Sequence, residues 1–230
     1  MVRFISLFFL SILITACSQS HSLKVEDSTL ASPDHYKVEF ENEYVRVVRV
    51  TYNPGEQSSM HSHRPLVGVT LTGGQGVFTD IKGNKETRPE NFAGDVLSDN
   101  GETHSVLSIS KGPEELVFVE VKKSYPASID PLAFVNAVNV SSINATVELE
   151  DHGVRVIRIK GEPGLETPVH SHRAGITLPL TDVNIMHTNI EGEVSTIKSK
   201  AGTISWAEPR IHKGKNLSDN PYEVILFELM

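Results

Sequence analysis

The stretch Gly55-Glu56-Gln57-Ser58-Ser59-Met60-His61-Ser62-His63 is answered by Gly164-Leu165-Glu166-Thr167-Pro168-Val169-His170-Ser171-His172, a displacement of 109 residues. A third histidine follows each pair: Gly94 leads to His104 and Gly202 leads to His212, both at a spacing of ten. Six of the ten histidines are thus placed by one repeated pattern, which points to a module that gathers three imidazoles. Such a gathering predicts a metal-binding scaffold and says much less about a reaction.

Working outward, the repeat extends well beyond the histidines. Val45-Arg46-Val47-Val48-Arg49-Val50 corresponds to Val154-Arg155-Val156-Ile157-Arg158-Ile159, and Pro54-Gly55 to Pro163-Gly164. One residue is then lost, and Leu116-Val117-Phe118-Val119-Glu120-Val121 pairs with Val224-Ile225-Leu226-Phe227-Glu228-Leu229. A unit of this length is a small domain, not a solenoid repeat, so the reading is two domains in tandem.

Strand signals dominate both copies. Val45 to Tyr52, Leu66 to Leu71, Val77 to Ile81 and Leu116 to Val121 are short runs rich in β-branched residues, bounded by Gly, Pro, Asn or Asp. Ala174 to Leu180, Val183 to Ile190 and Glu223 to Leu229 match in the second copy, whereas no long window after the N-terminus holds a helical period. Gly73-Gly74-Gln75-Gly76 reads as a hairpin turn and not as a phosphate cradle. The expected fold is all-β, two small antiparallel barrels or sandwiches.

With Gly, five residues, His-x-His, and then Gly, nine residues, His, both copies resemble the two motifs of the cupin superfamily. The resemblance covers nearly all of residues 35 to 230, as a bicupin. It implies two tandem jelly-roll (double-stranded β-helix) domains, each with a metal inside its barrel. The organisation expected is a signal peptide over 1–16, a tether over 17–33, domain 1 over 34–123, a linker over 124–133 and domain 2 over 134–230. Phe134 to Val140, with no evident counterpart before the first copy, is expected as an exchanged edge strand.

The resemblance makes His61, His63 and His104 one candidate metal site and His170, His172 and His212 the other. Alternate strand residues share a face, which puts both members of a His-x-His pair on one side, about 7 Å apart at the backbone. Neutral imidazole suits Fe, Zn, Cu or Ni, and three such ligands leave positions open for a small molecule. Many cupins carry a glutamate four or five residues after the second histidine. Here those positions are Val67 and Gly68 in one copy, Ile176 and Thr177 in the other. The resemblance is then to three-histidine cupins, which include non-haem dioxygenases as well as proteins of no established activity. Losing the anionic ligand disfavours hard cations such as Mn and Mg and leaves a more positive metal.

Other residues carry weaker expectations. His187 aligns with Phe78 and, if inward, would serve as a fourth ligand or acid–base group. Arg46, Arg155, Arg49 and Arg158 are candidates for holding a substrate carboxylate or for ordinary barrel-exterior roles, because the Val47-Val48 pair hides which face is inside. Trp206 and Phe92 are read as core packing or as pocket walls. His21, His35 and His152 fall outside the pattern and are expected to be solvated.

The N-terminus has a different character. Met1-Val2-Arg3 is followed by an almost wholly apolar run to Ile14, too short to span a bilayer and shaped like a secretory signal. Leu13-Ile14-Thr15-Ala16-Cys17 resembles the lipobox of bacterial lipoproteins, which implies cleavage before Cys17 and lipidation of its thiol. Cys17 is the only cysteine, so the chain has no intramolecular disulfide and no thiolate metal ligand. Acyl chains would anchor the protein to a membrane, and Ser18 at the second mature position points to the periplasmic face of the outer membrane of the bacterial cell envelope. The formal charge of −8 excludes nucleic acid as an expected partner. The function expected is a lipid-anchored, metal-binding bicupin that acts on or binds a small molecule, as a dioxygenase if an enzyme and otherwise as a non-catalytic binding protein of the envelope.

Overall fold

Val45–Tyr52 is buried on both sides, and that single strand explains the architecture. Val45 and Val47 point into one apolar cluster, while Val48, Val50 and Tyr52 point into another. The alternation is therefore unbroken: Val47 and Val48 adjoin because each face of the strand is covered. The irregularity lies on the partner strand, where the register shifts between Val38 and Phe40.

The computed structural model describes residues 25–126 and 136–230. The first repeat contains a short helix α1 (Ser28–Ala31) and strands β1 (Tyr36–Glu41), β2 (Val45–Tyr52), β3 (His61–Ser62), β4 (Leu66–Thr70), β5 (Gly76–Asp80), β6 (Lys85–Thr87), β7 (Val96–Asp99), β8 (Thr103–Ser108) and β9 (Glu114–Val121). The second contains α2 (Ala137–Val140), β10 (Ala145–Asp151), β11 (Val154–Gly161), β12 (His170–His172), β13 (Gly175–Pro179), β14 (Val183–Asn189), β15 (Val194–Ser199), β16 (Ser205–Ala207), β17 (Arg210–Asn216) and β18 (Tyr222–Leu229). Each repeat folds into a five-stranded sheet (β1-β2-β9-β4-β7 or β10-β11-β18-β13-β16) facing a four-stranded one (β3-β8-β5-β6 or β12-β17-β14-β15). All the pairings are antiparallel. The all-β, two-barrel expectation is met, and the β-branched runs expected as strands in both repeats are present.

Three apolar clusters hold this together. One lies inside each barrel, around Val48, Leu66 and Phe118 in the first and Ile157, Val224 and Leu226 in the second. The third is shared: Val45, Val47, Val67 and Val117 pack with Val154, Val156, Ile176 and Ile225. The outer faces of the two five-stranded sheets thus form a sandwich between repeats. Polar ties mirror each other across it. Arg49 donates to the Gly202 carbonyl at 2.5 Å, and Arg158 donates to the Gly94 carbonyl at 2.5 Å. Both carbonyls belong to the glycine that leads to each third histidine. At φ +88° and +79°, Gly94 and Gly202 adopt a turn that side chains disfavour. Arg49 and Arg158 therefore serve the interface between repeats and not a substrate.

Three expectations are corrected. Residues 136–140 form no edge strand: α2 and its N-cap Asn136 are the counterpart of α1 and Asp27, and the two caps bridge Ser171 and Ser62 in the same way. Residues 25–33 are not a solvated tether, because Ser28 is fully buried and Asp27 grips Arg46 at 2.6 Å. Gly73 to Gly76 is no hairpin: it carries the chain from β4 in one sheet to β5 in the other. His21, Cys17, the signal segment and most of the linker lie outside the described residues.

Candidate metal centres

Strand register delivers the histidines. His61 sits opposite His104 across β3 and β8, and His170 opposite His212 across β12 and β17. His63 and His172, two residues further along, turn to the same side. Each triad offers three ring nitrogens within 4.8 Å of one another, and among the described residues no carboxylate joins either set. The positions where a glutamate was sought show why. Val67 is committed to the cluster between the repeats, Gly68 packs on Phe118, and Thr177 presents only a hydroxyl-bearing side chain to the second cavity.

In the second triad the ring protons are placed by their partners. His170 Nδ1 lies 2.7 Å from the Pro168 carbonyl, which only accepts, so Nδ1 carries the hydrogen and Nε2 a lone pair. His172 Nδ1 lies 2.9 Å from Glu228 Oε1 and donates to it when the carboxyl is ionised. The two Nε2 atoms then face each other at 3.0 Å with lone pairs converging. Burial resists relief by protonation: it holds His172 well below the usual imidazole range and pulls His212 to about 2. Converging lone pairs that cannot easily be protonated fit a divalent cation.

The first triad is built alike but tuned differently. His61 Nδ1 donates to the Ser59 carbonyl at 2.8 Å, leaving a fully buried Nε2 with no protein partner. His63 and His104 approach at 3.0 Å through Nε2, and neither Nδ1 has a hydrogen-bond partner. Burial and the neighbouring imidazoles lower His63 to about 3, and burial with His61 lowers His104 to about 4. The carboxylate equivalent to Glu228 is Glu120, and it is diverted: Arg46 Nε donates to it at 2.6 Å while also binding Asp27. Burial raises the Asp27 pKa, yet the hydrogen bonds from Arg46 and Thr29 together outweigh it and carry the group to about 2. In the second repeat Arg155, the counterpart of Arg46, instead donates to Glu150 at 2.5 Å, and the position of Asp27 is taken by neutral Asn136. Burial pushes Glu228 up to about 7.

Each triad opens onto a cavity inside its barrel. The first, about 270 Å³, is lined by His63, His104, Tyr36, Tyr52, Phe78, Arg88, Asp99 and Glu114 among others. The second, about 360 Å³, is lined by His170, His172, His212, His187, Arg210 and Trp206 within a mostly aliphatic wall. His187 is inward, its ring 4.1 Å from that of His212 and its pKa lowered to about 4 by burial and Arg210. It adjoins the triad and is not one of the three grouped ligand atoms.

Several weaker expectations resolve here. Arg46 is consumed by Asp27 and Glu120 at one end of the first barrel. Trp206 both lines the second cavity and stacks on Phe40 and Tyr44 at the boundary between repeats. Phe92 is neither core nor wall, being 65% exposed. His35 is not simply solvated: it stacks on Tyr52 at 4.2 Å and meets the Thr51 carbonyl. Arg210 was not anticipated from sequence, although the exchange of Glu102 in one repeat for arginine in the other was the available signal.

No protein-family model matches the sequence, and no curated protein does. Solved structures do. The chain resembles AerE from Microcystis aeruginosa (TM-score 0.56, 15% identity, covering 85% of this chain and 97% of that one). It also resembles a variant of Bacillus subtilis oxalate decarboxylase (TM-score 0.56, 12% identity, 89% of this chain and 77% of that one). A cupin 2 conserved barrel domain protein from Leptotrichia buccalis aligns at TM-score 0.50 with 10% identity, covering 85% and 88%. With the two histidine triads in equivalent places, the fold is that of a bicupin: two cupin barrels in tandem, each with a group of histidines suited to a metal.

Proposed function

We propose that this chain is a metal-dependent bicupin that acts on a small molecule inside its barrels, as a non-haem dioxygenase of the three-histidine type. The observation that carries the reading is the convergence of unprotonated Nε2 atoms at His170 and His172, 3.0 Å apart at the floor of an aliphatic cavity. His61, His63 and His104 would hold one ion and His170, His172 and His212 the other. A divalent metal held there would supply Lewis acidity toward a small-molecule substrate. The chain's own residues do the rest. Aliphatic walls exclude water, Glu228 orients His172, and His187 presents a neutral ring to the cavity. Manganese centres are described for Bacillus subtilis oxalate decarboxylase. An all-imidazole set without a carboxylate favours Fe, Zn, Cu or Ni instead.

Oxygen uptake across thiols, catechols and diketones tests the reaction. Uptake that needs the metal and fails in His172→Ala supports an oxygenase. Metal binding with no turnover of any class would make the chain a non-catalytic carrier of metal or small ligand.

The same proposal places the protein in the bacterial envelope, anchored through Cys17 to the periplasmic face of the outer membrane. The lipobox-like Leu13 to Cys17 supports this. Detergent partitioning of wild type and Cys17→Ala tests it: the variant should move to the aqueous phase, and unchanged partitioning would refute the anchor.

A further inference from the structure

The two cavities share a shape and differ in charge. Where the first repeat has Phe78, Glu102 and Glu114, the second has His187, Arg210 and Tyr222. Arg210 lies opposite His172 on the neighbouring strand and lines the second cavity. Among the described residues its guanidinium has no hydrogen-bond or ion-pair partner. Burial lowers its pKa, and the charge of Glu228 opposes that shift, but the Glu228 carboxylate is taken by His172. A partly buried cation without a partner is incompletely solvated, and an entering anion would offset that. The same cavity is lined by Ile159, Ile185, Leu226 and Trp206, and its one carboxylate, Glu208, accepts from Trp206 Nε1 at 2.6 Å and from the Tyr125 hydroxyl.

The first cavity is the opposite. Its arginine, Arg88, is already engaged by Glu102 and lies 3.5 Å from Asp99. Glu114 adds a carboxylate that accepts from the Ser110 hydroxyl at 2.6 Å and has no cationic partner among the described residues.

We propose that the second barrel is a binding site for a small monocarboxylate with an apolar body, its carboxylate on Arg210 and its body against Trp206 and the aliphatic wall, and that the first barrel excludes such anions. The inference rests on the reading of these cavities as ligand sites and does not require the metal.

Trp206 is the only tryptophan and lines the second cavity but not the first, so a ligand in the second cavity should change its emission directly. Phenylacetate and its neutral analogue phenylacetamide would be titrated into metal-free and zinc-loaded protein. Phenylacetate should shift the emission in both forms and bind roughly ten- to a hundredfold more tightly than the amide, the range of a charge-assisted hydrogen-bond pair. Arg210→Gln should abolish that preference while keeping the far-ultraviolet spectrum and metal content of wild type. Arg210→Lys, which keeps the charge, should retain part of the preference and serves if the glutamine variant fails to fold. Equal affinity for acid and amide in wild type, an unchanged preference in Arg210→Gln, or no phenylacetate binding in either form would overturn the proposal. Acid-selective binding by protein that takes up no metal would uphold it while refuting the metal reading, so the two failures are distinguishable.

Discussion

His172 donates its Nδ1 hydrogen to Glu228 over 2.9 Å, whereas His63, its equivalent in the first repeat, leaves Nδ1 without a partner because Glu120 is held by Arg46. A carboxylate behind a ligating imidazole fixes the tautomer and raises the basicity of the free nitrogen. Two triads of one origin therefore present different donor strengths. The difference arises from the neutral Asn136 standing where the first repeat has Asp27, so that Arg155 is not drawn onto Glu228.

Removing that carboxylate should affect one site only. Glu228→Gln is expected to weaken metal binding at the second triad by about ten- to a hundredfold and to leave the first unchanged. Chelator competition followed by metal analysis would show a biphasic release in wild type that widens in the variant. An equal change at both sites, or none, would contradict the assignment.

Acidity should act on the metal-free protein in two opposing ways. His63, His104 and His212 have folded pKa values of about 3, 4 and 2, below the ordinary 6.5. The unfolded chain therefore binds more protons across that interval. Their contribution to stability is full above pH 6.5 and is lost as pH falls towards those folded values. Glu228 runs the other way. Its folded value of about 7 lies above the ordinary 4.5, so its contribution is present below 4.5 and lost as pH rises through 7. Urea denaturation of metal-free protein from pH 4 to 8.5 should show stability falling at both ends. Glu228→Gln should flatten the alkaline decline alone; an unaltered alkaline limb would count against the Glu228 assignment.

The contact between repeats gives a third test. Arg49 and Arg158, with side chains 21% and 14% exposed, each reach a glycine carbonyl of the other repeat. Replacing either with Ala should cost about 1–2 kcal/mol, allowing for partial solvent screening. Differential scanning calorimetry should show a lowered Tm with metal content preserved. A loss of metal with no loss of stability would mean that these arginines serve the sites and not the interface.

Much of this molecule was legible in the repeat. The glycine and histidine spacing located both triads, and β-branched runs located the central strands, because those features follow from local backbone geometry and alternation. The edge strands β6 and β15 were missed because solvent covers them and their residues carry no apolar pattern. The inward face of Val45–Tyr52 was hidden because both faces are buried, a consequence of the second repeat packing behind the first. The divergence of Glu120 from Glu228 was illegible for a different reason. The two glutamates are aligned and identical, and what separates them is a partner 74 residues away at Arg46.

The most direct test of the whole account is metal analysis of protein purified without a histidine tag, as isolated and after reconstitution with Fe, Zn, Cu or Ni. Two intact triads predict about two equivalents in wild type and about one in each of His63→Ala and His172→Ala, with the far-ultraviolet spectrum unchanged. Less than about 0.2 equivalents in reconstituted wild type, or equal metal content in wild type and both variants, would contradict it.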